Sequence, residues 1–290
     1  MKKILIIGGH GMLGRPVVRR LLKEGFAVRT MARDKAKAAA LLPSETEIVE
    51  GDLTNIDSIR RAAVGADIVY LNLATLRHKA AFRPELDGTK NVIEALADRD
   101  DIVISKLSGL GVRPTDGWWL DADQKYEAEE LIKGSGHPYI IFRPSWFHES
   151  LPLFVQGNRL AIMGRPPHPI YWIAGDDYGR MVAEAFRKNL VNRTFNAQGS
   201  TPLTFDQAAE KFILAYKSAM KIIHIPLFVL KAGGLFKPQF KDLSKLFEYC
   251  TKYAEKLESE SDWNELYRPR MTVEEYVEYM LRTGDVPSKR

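Results

Sequence analysis

The chain of 290 residues has one cysteine, Cys250, so no intrachain disulfide can form, which agrees with a reducing compartment. Cys250 lies in the helical pattern LSKLFEYCTKYAEKL, away from every other motif, and is a poor nucleophile. Long apolar runs are also missing. ILII, after Lys2 and Lys3, stops at Gly8, too soon for a signal peptide, and a cytoplasmic location is expected. The most apolar late stretch, IIHIPLFVLKAGGLF, is broken by His224, Pro226, Lys231 and a glycine pair. It reads as a helix covering the core or, alternatively, as a segment resting on an apolar surface. Charge of one sign is scarce: 42 Lys and Arg against 37 Asp and Glu leave +5, too little for a nucleic-acid footprint but compatible with an anionic small ligand. No repeat or low-complexity tract occurs, and only the hydrophilic end GDVPSKR is expected to fray. The histidines are scattered, none at ligand spacing from a carboxylate, so no metal site is expected.

What is present is an alternation. Strand-like runs KILIIG, FAVRTMAR, TEIVEGD, ADIVYLNLA, DIVISKLS and PYIIFRP alternate with amphipathic segments such as MLGRPVVRRLLKEG and DADQKYEAEELIKGSG. Most runs are continuous rather than alternating, as strands buried on both faces are. The fold class is α/β, a doubly wound parallel sheet of the Rossmann type. Residues 1–147 form the dinucleotide-binding domain. Residues 148–290, with short strands YWIAG and VNRTFNAQG and then a mostly helical tail, form a smaller substrate-side lobe packed on the first.

Gly8, Gly11 and Gly14 space a GxxGxxG loop between the first strand and the first helix. Glycines there let backbone amides approach a pyrophosphate, and the helix start at Met12 and Leu13 adds partial positive charge. At the second strand end, Arg33, with Lys35 and Lys37 behind it, suits the 2′-phosphate of NADP, while Asp34 suits the ribose of NAD. NADP(H) is favoured over NAD(H). Asp52 either accepts from an adenine amino group, with Leu53 backing the ring, or opens a loop. Asn72, Leu73, Ala74 and Thr75 follow the fourth strand, beside the expected ribose and nicotinamide. Arg77, His78, Lys79 and Arg83 are either a selector for an anionic substrate or a solvated loop. Trp118, Trp119, Trp146, Phe147 and His148 either line an aromatic pocket for a flat acceptor or pack the core.

The order GGHGMLG, Arg33, GDL, NLA, DGTKNVIEA and KYEAEELIKGSGHPYIIFRPSWF resembles the short-chain dehydrogenase/reductase superfamily, in particular its atypical, NmrA-like NAD(P)-binding branch. The resemblance covers roughly the first 220 residues. It implies that Lys125 contacts the nicotinamide ribose, that Ser108 stands at the level of the superfamily's catalytic serine, and that Pro144 and Ser145 lie near the nicotinamide. In the standard branches a tyrosine precedes the lysine by four residues. Here that position is Asp121, and no tyrosine in the chain has a lysine four residues later. An ionised aspartate cannot replace a phenol as proton donor. The implied function is an NADP(H)-dependent reductase of a quinone, enone or other conjugated small molecule, with the final proton from solvent, Lys125 or His148. The alternatives are a non-catalytic NAD(P)(H)-sensing regulatory or assembly protein with a protein partner and, further behind, a nucleotide-sugar epimerase or dehydratase. The alternative for Lys125 is an exposed helical lysine paired with Glu129 at i+4.

Overall fold

Strand β1 (Lys3–Ile7) is buried from Ile4 onward and ends at Gly8, whose φ of +89° turns the chain toward α1 (Gly14–Lys23). This computed structural model describes residues 1–74, 81–216, 219–235 and 238–286. The alternation continues through β2 (Ala27–Ala32), α2 (Lys35–Ala39), β3 (Glu47–Glu50), α3 (Ile56–Ala62), β4 (Ile68–Leu71), α4 (Asp87–Ala95), β5 (Val103–Leu107), α5 (Leu120–Lys133) and β6 (Tyr139–Pro144). A 3-10 segment over His148–Phe154 then leads to β7 (Val155–Gln156) and β8 (Arg159–Met163). After these come α6 (Gly175–Arg187), β9 (Arg193–Ala197), α7 (Phe205–Ala215), β10 (Lys221–Ile225), α8 (Leu227–Gly233), α9 (Pro238–Lys252), α10 (Glu260–Glu265) and α11 (Val273–Thr283).

The main sheet has the order β3-β2-β1-β4-β5-β6-β9, and its pairs from β3 to β6 are parallel. Strand order reverses between β1 and β4. In such sheets the ligand crevice opens there, at the carboxyl ends of the strands.

The chain forms two units, one of residues Met1–Pro144 and Tyr178–Asn196, the other of Ser145–Asp177 and Ala197–Arg290. A single cut between 147 and 148 therefore misses the return of the chain to the first unit, where β9 extends the main sheet. The first unit buries Leu5, Ile7, Val69, Leu71 and Ile104 against Ile59, Val92 and Ile132. A second cluster contains Tyr70, Phe142, Tyr178 and Phe186, and the Tyr70 and Tyr178 hydroxyls meet at 2.8 Å.

In the second unit a small sheet runs β10-β8-β7. Strand β10 corrects the helical reading of IIHIP: Ile222, Ile223 and Ile225 are β-branched residues paired in parallel with β8, and only after Pro226 does α8 begin. YWIAG likewise forms no strand; its Ile173 makes a single bridge to Phe147, and Ile170, just before it, makes another to Leu203. Trp146 packs within this unit, its ring 4.9 Å from Phe205 and 5.7 Å from both Trp172 and Phe247. Among the described residues no helix is long and apolar enough to cross a membrane.

Candidate cofactor and active site

The glycine loop is shaped by contacts that only glycine allows. A Cβ on Gly8 would stand 2.1 Å from the Asn72 carbonyl oxygen, and one on Gly14 would stand 2.2 Å from the Gly8 carbonyl oxygen and 2.6 Å from that of Gly9. Gly8 frees the loop to lie against the end of β4, and Gly14 lets α1 start directly on the loop. The Gly11 amide donates to Gly8 O at 3.0 Å, and Gly11 O accepts from the Gly14 and Arg15 amides. Asn72 ties the two sides of the crevice together: its amide donates to Ile7 O at 2.9 Å and its Nδ2 to Gly8 O at 3.3 Å. Leu13, at the N-cap of α1, offers no capping oxygen, and the first turn has no acidic residue. A helix start with neither is suited to an anion supplied by a ligand. On this geometry the residues fit a dinucleotide pyrophosphate.

At the end of β2, Arg33 is exposed and Asp34 is already engaged. The Asp34 carboxylate is the N-cap of α2 and accepts from the Lys37 amide at 2.9 Å. Asp52 Oδ1 accepts from the Thr54 amide and hydroxyl, both at 2.8 Å. The Thr54 amide, then its hydroxyl and the Arg33 charge, outweigh partial burial and hold the Asp52 pKa below the usual range. Leu53 packs on Gly88, where a Cβ would come 2.4 Å from a leucine methyl, and Leu53 O accepts from Asn91 Nδ2 at 2.9 Å. Leu73 is half-buried and Ala74 is exposed. Thr75 and His78 lie outside the described residues.

Beyond β5, the chain gathers charge. Ser108 is buried and donates to Glu129 Oε1 at 2.5 Å. Arg143, on β6, holds the same carboxylate through two donors, Nε at 3.0 Å and Nη2 at 2.5 Å. Glu129 is thus held by Ser108 and Arg143. Lys125 Nζ instead lies 3.6 Å from Asp121 Oδ1 and 3.9 Å from Glu85 Oε1, with its side chain 14 % exposed. Burial lowers the Lys125 pKa, but the carboxylates of Asp121, Glu85 and Glu129 outweigh it, so the net value is above that of an ordinary lysine. Pro144 is buried, and its carbonyl accepts from the Leu110 amide at 2.9 Å.

The family model described as NAD(P)H-binding matches residues 8–160, more than half of the chain. The protein belongs to this NAD(P)H-binding family. Within it, the chain is 24% identical over 232 residues to the NAD(P)H azoreductase of Xenophilus azovorans, covering 77% of each protein. It is 30% identical over 153 residues to the photosystem II assembly factor Ycf39 of Cyanophora paradoxa, a match over 51% of this chain and 46% of that protein. The chain thus spans about half the length of the Ycf39 relative. In fold it is similar to the NADPH-dependent quinone oxidoreductase of Escherichia coli complexed with NADPH, with a TM-score of 0.75 and 21% identity over 96% of this chain and 99% of that one. The expected Rossmann-type sheet is therefore present in this NAD(P)H-binding protein.

The aromatic candidates divide between the units. Trp118 is half-buried in the loop before α5, its amide bonded to Thr115 O, while Trp146 and His148 belong to the second unit. His148 is 2 % exposed and packs beside Tyr276. Burial pushes its pKa down to about 3, so of the three proton sources considered, solvent, Lys125 and His148, the imidazole is the one that is neutral at neutral pH. The sequence reading also missed Glu85 and Lys106, both fully buried and paired with each other. The signal was available: Lys106 interrupts the apolar run DIVISKLS, and a lysine in a strand buried on both faces requires a buried acceptor. Among the described residues no group of His, Cys, Asp and Glu is placed to hold a metal ion.

Proposed function

We propose that the protein is an NADPH-dependent reductase of a conjugated small molecule such as a quinone, an enone or an azo compound. The observation that carries this reading is the pairing of Lys125 with Asp121, which puts a cation without a phenol at the position the superfamily uses for its tyrosine and lysine. When bound, NADPH supplies hydride. Gly8, Gly11 and Gly14, with Met12 and Leu13, hold the pyrophosphate, and Arg33 binds the 2′-phosphate. Asp52 and Leu53 flank the adenine, while Asn72, Leu73, Ala74 and Pro144 line the path to the nicotinamide. Lys125 holds the ribose and keeps positive charge beside the acceptor. A conjugated acceptor spreads the negative charge it gains over its π-system, so an ammonium or solvent suffices as the proton source. The match to an azoreductase over most of both chains supports this reading. Trp118 is assigned to the acceptor side, and the cytoplasm is the location.

The match to an assembly factor favours a second reading, a non-catalytic NAD(P)(H) sensor with a protein partner. One experiment separates them. Purified protein is mixed with NADPH and a panel of quinones, enones and azo dyes, and loss of the reduced cofactor is followed by absorbance. Turnover that disappears in Lys125→Ala is the expected result. Tight NADPH binding with no turnover on any acceptor overturns the reductase reading in favour of the sensor.

A further inference from the structure

Behind Lys125 lies a buried carboxylate shared by two lysines. Glu85, in the turn before α4, and Lys106, on β5, are both fully buried. The Lys106 ammonium donates to Glu85 Oε1, and that same oxygen is the one 3.9 Å from Lys125 Nζ. The other oxygen, Oε2, is buried with no hydrogen-bond partner. A buried ion pair with an unsatisfied oxygen is costly compared with apolar residues of the same size, so stability alone is a weak reason for it. Its position gives a stronger one, because the pair touches the one lysine of the cluster that reaches solvent. Glu85 is also fixed along the chain, since its carbonyl accepts from Thr89 Oγ1 at 2.6 Å in the first turn of α4.

We propose that Glu85 and Lys106 are positioning residues for Lys125: Lys106 anchors the Glu85 carboxylate, and Glu85, acting with Asp121, holds the Lys125 ammonium in its working place and charge state. This rests on the reading of Lys125 as the functional lysine. The charged groups around Lys125 are Asp121 and Glu129 on α5, Glu85 before α4, and Lys106 on β5. Arg143 and Lys133 neutralise Glu129, so Asp121 and Glu85 make the direct ion pairs with Lys125. Removing the Glu85 charge leaves Lys125 more easily deprotonated.

The test reads Lys125 itself, apart from turnover. Full-length protein is acetylated with acetic anhydride across a pH series, and the extent of modification at each lysine is read by peptide mass spectrometry. In Glu85→Gln the midpoint for Lys125 moves to lower pH by about one unit relative to the unmodified protein. The alkaline limb of the pH–turnover profile moves with it. If Glu85→Gln does not fold, the double variant Glu85→Gln with Lys106→Met removes both buried charges at similar volume. Its Lys125 midpoint shifts the same way by less, because the opposing charge of Lys106 is also gone. An unchanged Lys125 midpoint in either folded variant overturns the proposal. A protein that turns over no acceptor overturns the reductase reading instead, and the acetylation series still decides this one.

Discussion

Lys125 Nζ and Asp121 Oδ1 lie 3.6 Å apart, one turn of α5 from each other. Asp121 stands four residues before Lys125, so the group beside the lysine is a carboxylate that raises its pKa. A phenol there would release its own proton to the substrate. Asp121 instead keeps the proton on Lys125. Asp121→Asn removes one of the charges that outweigh burial, and the Lys125 pKa falls. In the proposed reductase Lys125 acts in its protonated form, which persists below its pKa and is lost as pH rises through it. The alkaline limb of the kcat profile is therefore expected to move to lower pH by about one unit, measured as turnover against pH.

The glycine loop gives a sharper prediction about binding. Gly14→Ala puts a methyl 2.2 Å from the Gly8 carbonyl oxygen, a contact with backbone that no rotamer relieves. The start of α1 must move away from the loop, and the amides proposed to face the pyrophosphate move with it. NADPH binding is expected to weaken by about a hundredfold, near 3 kcal/mol, as read by calorimetric titration. Gly25→Ala serves as the control, since a Cβ there meets nothing within 4 Å. Its φ of +84° costs stability, yet its NADPH affinity should stay near that of the unmodified protein.

How far the sequence carried this reading depended on whether the deciding contacts were local. Gly8, Gly11 and Gly14 could be placed because strand, turn and helix follow one another in the chain. The pairing of Lys125 could not. Asp121 and Glu129 are both one turn away, and the choice between them is made by Arg143 and Ser108, which arrive from β6 and the end of β5 to occupy Glu129. Glu85 and Lys106 are 21 residues apart and meet only when α4 packs on the sheet. IIHIP misled for a related reason: a short apolar run fits strand or helix equally, and only pairing with β8 decides it.

Arg33 and Asp34, adjacent in sequence, point to different cofactors, and the N-cap bond to the Lys37 amide separates their roles. With Asp34 holding α2, Arg33 is the side chain available to a 2′-phosphate. Arg33→Ala is expected to raise the Kd for NADPH about tenfold, the loss of one charge-assisted contact, and to leave the Kd for NADH nearly unchanged. Fluorescence titration with both cofactors checks this. A parallel loss for NADH would mean that Arg33 does not read the phosphate.

His148 makes stability sensitive to acid. Its imidazole is 2 % exposed and its pKa is about 3 in the folded protein, against 6.5 in an unfolded chain, because burial penalises the charged ring. Between those two values the unfolded chain binds a proton that the folded protein does not, so stability falls as pH drops below about 6.5. The slope from this one residue approaches about 1.4 kcal/mol per pH unit by pH 5 and flattens near the folded pKa. Above neutral pH the effect is absent. His148→Gln, which carries no titrating ring, is expected to be less stable at pH 7.5 because it disturbs the packing beside Tyr276. Its stability should then decline less steeply than that of the unmodified protein between pH 6.5 and 4.5. Urea unfolding at a series of pH values measures both slopes. Equal slopes would mean that His148 is protonated in the folded protein, contrary to its burial.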